Sequence, residues 1–357
     1  MLRYLKAGLV CLVLAAPALA IDKGETYDVL NLPAPQSARA THSNLYSIAR
    51  AGGRLVAVGQ RGIVLYSDDK GRSWTQGQVP VRSVLLDVFF ANDKLGWAVG
   101  HDGVILHSAD GGETWVKQLD GYQLNESGLA YYGGLARENP DNEAYAMVLG
   151  EFEFAAEQGA DKPFLAVFFA DQNTGFVMGA YGLSVATTDG GANWVPVMEY
   201  GPLAFRHVFD YEIIGDRFFL TQEVGYILTG PVGPRASVAS SIPFSVGSVY
   251  TMISSEQGDL LVAGLRAAAF RSDDGAQTWE LLELPTSASI NGSARLADGR
   301  IVLVSQNGEL LVSDDDGRTF DNVPLEKTFP LSGLVETDPG QLILVGLGGV
   351  LAVSLDQ

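Results

Sequence analysis

A short glycine-ended turn between two apolar runs recurs along this chain, and its spacing leaves few folds available. The last residue of the turn is Gly62, Gly103, Gly182, Gly225, Gly308 and Gly349, with Ala267 in the same place once. Successive copies lie 41, 79, 43, 42, 41 and 41 residues apart. In the first copy Leu55-Val56-Ala57-Val58 leads into Gly59-Gln60-Arg61-Gly62, and Ile63-Val64-Leu65-Tyr66-Ser67 leads out. Runs that are apolar at every position fit strands covered on both faces, and glycine supplies the positive φ of a tight turn. Strand units repeating every ~40–45 residues read as a β-propeller. The expected fold is therefore all-β, a seven-bladed β-propeller over residues 21–357.

Two irregularities carry further expectations. The last unit, Leu342 to Ser354, has no outer strand of its own. The N-terminal segment Thr26-Tyr27-Asp28-Val29-Leu30 is expected to fill that place and close the ring, which would remove exposed sheet edges. The 79-residue step exceeds one period by about 38 residues, so residues 119–163 read as a helical insertion between blades two and three. Asn139-Pro140-Asp141-Asn142-Glu143 offers a cap, an early proline and an acidic first turn for a helix over 144–158, and Gly159 a stop. Tyr145, Val148, Leu149 and Phe152 fall on one helical stripe, and Glu143, Glu151, Glu153 and Glu157 make much of the rest acidic.

A second signature, Ser/Thr-x-Asp-x-Gly-x-x-aromatic, precedes the outer strand of most units. It occurs at Ser67–Trp74, Ser108–Trp115, Thr187–Trp194 and Ser313–Phe320, and at Ser272–Trp279 with the glycine one place early. Asp69, Asp110, Asp189, Asp274 and Asp315 are expected to accept backbone N–H groups of their own turns. Trp74, Trp115, Trp194, Trp279 and Phe320 are expected to pack between blades. Repetition in five outer turns marks these carboxylates as structural, although one alone would look like a metal ligand.

This pattern resembles the Asp-box, or bacterial neuraminidase-repeat, propellers. Within them the chain looks most like the photosystem II assembly and stability factor family, in its non-photosynthetic bacterial branch. The likeness rests on the seven units and on phrases such as Leu95-Gly96-Trp97-Ala98-Val99-Gly100 and Gly175-Phe176-Val177-Met178-Gly179. It implies a non-catalytic extracytoplasmic scaffold that helps a membrane protein complex assemble or work. Its non-photosynthetic members imply a partner such as an exporter of the resistance-nodulation-division type. The photosynthetic members are associated with an arginine-rich patch, whereas this chain is strongly acidic.

Composition narrows the partners. The chain has 23 Lys and Arg against 42 Asp and Glu, a formal net charge of −19. Nucleic acids and anionic lipid surfaces need clustered positive charge and are disfavoured. Residues 1–20 read as a signal peptide: Arg3 and Lys6, an apolar run from Ala7 to Ala16, and Ala18-Leu19-Ala20 before a cleavage at Ala20-Ile21. The mature chain is then periplasmic or secreted. Cys11 is the one cysteine and lies inside the apolar run, after Val10 rather than a small residue, which argues against lipid attachment there. Thiol catalysis and cysteine metal sites drop out with it.

No compact motif marks an enzyme. The sialidases that share the Asp box carry a Phe-Arg-Ile-Pro-like motif ahead of their repeats. Here the nearest string is Phe205-Arg206-His207-Val208, in the fourth unit. His42, His101, His107 and His207 lack metal-ligand spacing, and the glycine turns join strands rather than open a helix. No catalytic residue, metal or cofactor is expected. The alternative reading is a carbohydrate-active or carbohydrate-binding propeller. An enzyme of that kind needs two carboxylates about 5–10 Å apart with perturbed pKa values.

Partner recognition is expected on one face of the ring. Turns joining second and third strands vary from copy to copy and offer Arg61, His101, Tyr181, Glu223, Arg266, Gln306 and Asn307. The insertion leaves after an outer strand and returns before an inner one at Phe164, so it emerges on that same face, with Tyr145 and Phe152 as further contact candidates. Its two readings are packing on blades two and three, and docking of a membrane partner.

Overall fold

The structure, a computed structural model, describes residues 28–198, 206–231, 238–241 (backbone only) and 247–355. Among these described residues seven antiparallel sheets form in chain order, six of four strands and the last of three. Sheet 1 is typical, with strands Leu45–Ala51, Arg54–Gly59, Val64–Ser67 and Thr75–Gln76. The first strands of sheets 2 to 7 are Leu85–Phe90, Phe164–Phe169, Val208–Ile214, Val249–Ser254, Ile290–Arg295 and Leu331–Asp338. Each first strand lies against that of the next sheet, and the seventh lies against the first, so the sheets close a ring. The second strands are almost wholly buried, as their unbroken apolar runs require.

The turn between second and third strands is a tight left-handed corner. Arg61, Asp102, Tyr181, Val224 and Arg266 sit at φ of 55, 62, 56, 61 and 54°, each followed by another positive-φ residue. Glycine is required at the first of these second positions, because a Cβ on Gly62 would stand 2.2 Å from the Val81 carbonyl oxygen. In sheet 5 Ala267 adopts the same region, at φ 58°.

The turns into the fourth strands satisfy themselves. In sheet 2, Ser108 Oγ donates to Asp110 Oδ1 at 2.8 Å, and Asp110 accepts the Thr114 N–H at 2.9 Å and its hydroxyl at 2.5 Å. Gly112 N–H donates to Ser108 Oγ at 2.8 Å, and Trp115 Nε1 to the Gly112 carbonyl at 3.0 Å. The same carboxylate bonds form around Asp69, Asp189, Asp274 and Asp315, with Asn193 Nδ2 as the side-chain donor to Asp189. Trp74 Nε1 repeats the ring bond, to the Gly71 carbonyl at 3.0 Å, whereas Trp194 Nε1 turns to Gln118 Oε1 at 3.4 Å. These hydrogen bonds hold all five carboxyls below their ordinary range, to about 2 for Asp69, Asp274 and Asp315. Trp115, Trp194, Trp279 and Phe320 are buried in the seams between sheets, and Trp74 packs partly buried. Asp110→Ala is expected to cost roughly 1–2 kcal/mol of stability. Urea unfolding checks it, and a variant as stable as the parent would remove the turn's structural role.

The N-terminal expectation needs correction. Thr26 and Tyr27 lie outside the described residues, but Asp28 to Leu30 form no strand of sheet 7. Asp28 caps a 3-10 turn, Val29–Asn31, by accepting the Leu30 N–H at 2.9 Å. Leu30 is buried with residues of sheets 1 and 2, and the Val29 carbonyl accepts the Arg82 N–H at 2.7 Å. An apolar Val-Leu pair reads as strand locally, but the seam between two sheets offers Leu30 more burial. Among the described residues, sheet 7 ends with Gly349–Ser354.

Between the fourth strand of sheet 2, Val116–Leu119, and the first of sheet 3 stand two helices, α1 (Gly121–Glu138) and α2 (Glu143–Gln158). α2 follows its cap-and-stripe pattern, with Asn142 accepting the Ala144 N–H at 3.1 Å and Gly159 ending it at φ 93°. α1 is not anticipated by the sequence reading. It starts from a capping box in which Asp120 and Gln123 each accept the other's backbone N–H at 3.1 Å. Gly128, Gly133 and Gly134 mask its helical pattern. Gly128 is what allows the two helices to touch, since a Cβ there would lie 2.3 Å from the Phe152 ring.

Candidate partner-binding face

The expected recognition residues divide by burial. Arg61, His101, Tyr181, Arg266, Gln306 and Asn307 are exposed, and Glu223 and Tyr145 are partly exposed. Phe152 requires correction as a contact residue. It is buried against the Tyr132 ring, centroids 5.9 Å apart, in the core that joins the helices to sheets 2 and 3. Amphipathic spacing located the buried face of α2; it says nothing of the outer one.

The hairpin is fastened to the ring. Tyr132 is fully buried, and its hydroxyl accepts the Met198 N–H at 2.9 Å. Asn125 Nδ2 donates to the carbonyls of Ala155 and Gly159 at 3.2 and 3.1 Å, tying the start of α1 to the end of α2. Where the hairpin base meets the sheet 3 turn, a small cleft of about 20 Å³ opens, lined by Leu124, Phe152, Ala155, Tyr181, Leu183 and Met198. Tyr181 therefore brings the turn ring and the hairpin into one surface. From it an aromatic chain runs on, to His207 at 4.9 Å, to Phe209 at 6.1 Å and to Tyr250 at 5.3 Å between centroids. His207 Nδ1 lies 2.7 Å from Glu223 in the next turn. Val224 beside it is an exposed β-branched residue in the left-handed region, a strained conformation for that side chain.

Two acids that no sequence motif marks stand on first strands. Asp87 accepts the Ser47 hydroxyl at 2.9 Å and the Val167 N–H at 2.9 Å, joining sheets 1, 2 and 3. Asp210 accepts the Met252 N–H at 2.8 Å and the Thr251 hydroxyl at 3.1 Å, joining sheets 4 and 5. Thr251 and Ser293 hydroxyls, 2.7 Å apart, extend the seam to sheet 6. Each carboxylate also accepts the N–H of its own following residue at 2.8 Å. Burial raises the pKa of both, and that of Asp210, helped by the neighbouring Asp87 charge, to about 7. A carboxyl perturbed in this way invites comparison with a catalytic pair. Here both oxygens of each group are engaged by strand N–H groups and hydroxyls, and the arrangement clamps sheets together. The available signal was an acid inside an apolar strand, as in Leu-Leu-Asp87-Val and Val-Phe-Asp210-Tyr.

Among the described residues no group of three or more His, Cys, Asp or Glu side chains is placed to hold a metal ion, and no helix is long and apolar enough to cross a membrane.

A closed ring of antiparallel sheets with self-satisfied outer turns defines a β-propeller-like fold, and in sequence the chain resembles the photosystem II assembly factor family. Residues 72–131 match the family model described as photosynthesis system II assembly factor YCF48. The photosystem II assembly lipoprotein Ycf48 of Prochlorococcus marinus is 28% identical over 158 residues, spanning 43% of this chain and less than half, 45%, of that relative's length. Solved structures share the fold. YCF48 bound to D1 peptide aligns over 88% of this chain and 94% of its own at TM-score 0.65 and 17% identity. YCF48 from Cyanidioschyzon merolae aligns over 91% and 99% at TM-score 0.64 and 16% identity. The WD40 propeller domain of Doa1 aligns over 93% and 98% at TM-score 0.62 and 11% identity.

Proposed function

We propose that this chain is a non-catalytic scaffold that binds a membrane protein outside the cytoplasm and assists its assembly or function. In this reading each sheet is one blade of a seven-bladed propeller with Asp-box outer turns, and α1–α2 is an insertion carried between blades two and three. Residues 1–20 act as an export signal. The carrying observation is the shared surface at Tyr181, where the varied turn ring and the helical hairpin meet around one cleft. A relative of this fold solved with a D1 peptide supports a segment of a membrane protein as ligand. A resistance-nodulation-division exporter is the proposed complex in bacteria without photosystems, and the turn residues Arg61, His101, Tyr181, Glu223, Arg266, Gln306 and Asn307 are the proposed contacts. A photo-crosslinking side chain in place of Tyr181, irradiated in native membranes, tests the reading by mass spectrometry. Envelope membrane proteins are the expected products. Crosslinks confined to soluble proteins, or none above the unirradiated control, would reject it.

A further inference from the structure

The outer side of the hairpin carries apolar side chains that the protein itself does not cover. Met147 and Phe154 are 49% and 54% exposed, and they lie seven residues apart on α2 with Glu151 between them. Two turns of helix bring i, i+4 and i+7 onto one stripe. The stripe borders the cleft, whose wall includes Glu151 itself and exposed Tyr181, and the exposed Tyr122 ring lies beside Gly159 of the same wall. An apolar stripe beside an apolar cleft is a surface for another chain.

Charge says which kind. Residues 121–162 carry eight acids, Glu126, Glu138, Asp141, Glu143, Glu151, Glu153, Glu157 and Asp161, against Arg137 and Lys162. Lys162 is turned inward: its buried ammonium lies 3.7 Å from Asp161 Oδ1 and 5.9 Å from the centre of the Phe154 ring. The hairpin therefore presents apolar groups in a negative field, which attracts cations and repels acidic segments.

We infer that the α2 stripe and the adjoining cleft bind a basic, apolar peptide segment of the partner, with an apolar side chain over Phe154 and lysines or arginines facing Glu151, Glu153 and Glu157. The inference rests on the proposed scaffold function and specifies the chemistry of its partner. It is tested with the full chain and two labelled amphipathic peptides of equal length, one of leucine and lysine, the other of leucine and glutamate. Anisotropy should show binding of the lysine peptide only, weakening with salt, and a loss of about tenfold or more in Glu151→Lys/Phe154→Asp. Met147→Gln, an exposed change that adds no charge, should weaken binding in the same direction, and circular dichroism melting verifies that each variant is folded. Asp273→Asn/Asp314→Asn, in the outer turns, serves as the control for general acidity. Equal binding of both peptides, no binding of the lysine peptide, or equal weakening by the control variant would overturn the inference. Tyr181 crosslinking separates the two ideas. If Glu151→Lys/Phe154→Asp still captures the envelope partner, the basic-segment inference fails and the scaffold reading stands. If the parent captures none, the scaffold reading fails.

Discussion

Trp97→Ala should lower the unfolding free energy by about 3–5 kcal/mol, the cost of emptying a large aromatic site in a core. Trp97 is 1% exposed and stacks on Phe169 with ring centres 3.5 Å apart and planes 15° from parallel. The His107 ring also lies against it, tilted, with centres 5.0 Å apart. Phe169 belongs to the next sheet, so this stack is the seam between sheets 2 and 3. The same core holds Leu124, Tyr132, Val148 and Phe152 of the hairpin. The cavity should therefore loosen the helices as well as the ring. Urea unfolding followed by far-ultraviolet circular dichroism measures both. Trp97→Phe, which retains a ring, should recover a large part of the loss. A melting temperature within about 2 °C of the parent would mean the seam collapses freely and carries little of the stability.

The second large effect is one of pH. The Asp210 carboxyl titrates near 7 in the folded chain, chiefly because it is buried and secondarily because Asp87 is near. Unfolded, it titrates at the ordinary value near 4. Between those two values the folded protein holds a proton that the unfolded chain has released. The stabilisation is therefore complete below about pH 4 and is lost as pH rises through about 7. Glu212 is raised in the same direction by burial. Asp210→Asn removes this titration while losing some of the bonds that hold Met252, Thr251 and Tyr211. The variant should be less stable than the parent at pH 5, and the gap should close by up to about 2–3 kcal/mol by pH 8. Residue 210 as a whole is not fully shielded from solvent, so this is an upper figure. A gap of the same size at both pH values would show that Asp210 stays ionised throughout.

How much of this was legible follows from where the causes lie. The outer turns could be read residue by residue, since the bonds to the Asp110 carboxylate come from Ser108 and Thr114, within the same short turn. α2 was legible through its cap and its stripe. α1 was hidden because its three interior glycines lower helix propensity, and its reason for existing, the fit of Gly128 to the Phe152 ring, is a contact between helices. The proposed binding surface was half legible. The variable turns were visible as exceptions to a repeat, but Phe152 looked like a contact and is core, while Met147 and Phe154 passed unnoticed because a buried stripe dominates the pattern.

The sequence by itself determined the period, the alternation of apolar runs and turns, the chemistry of the outer turns and the acidic balance, all of them local or additive properties. The tertiary structure alone decided which parts meet. It set Leu30 into the seam of sheets 1 and 2 instead of on the edge of sheet 7, and brought Tyr181 to the base of the hairpin. It also joined Asp210 to Met252, 42 residues away. The physical reason is that strand edges and buried rings choose partners by the burial and hydrogen bonding each place offers. Those alternatives exist only once the sheets have closed around one another.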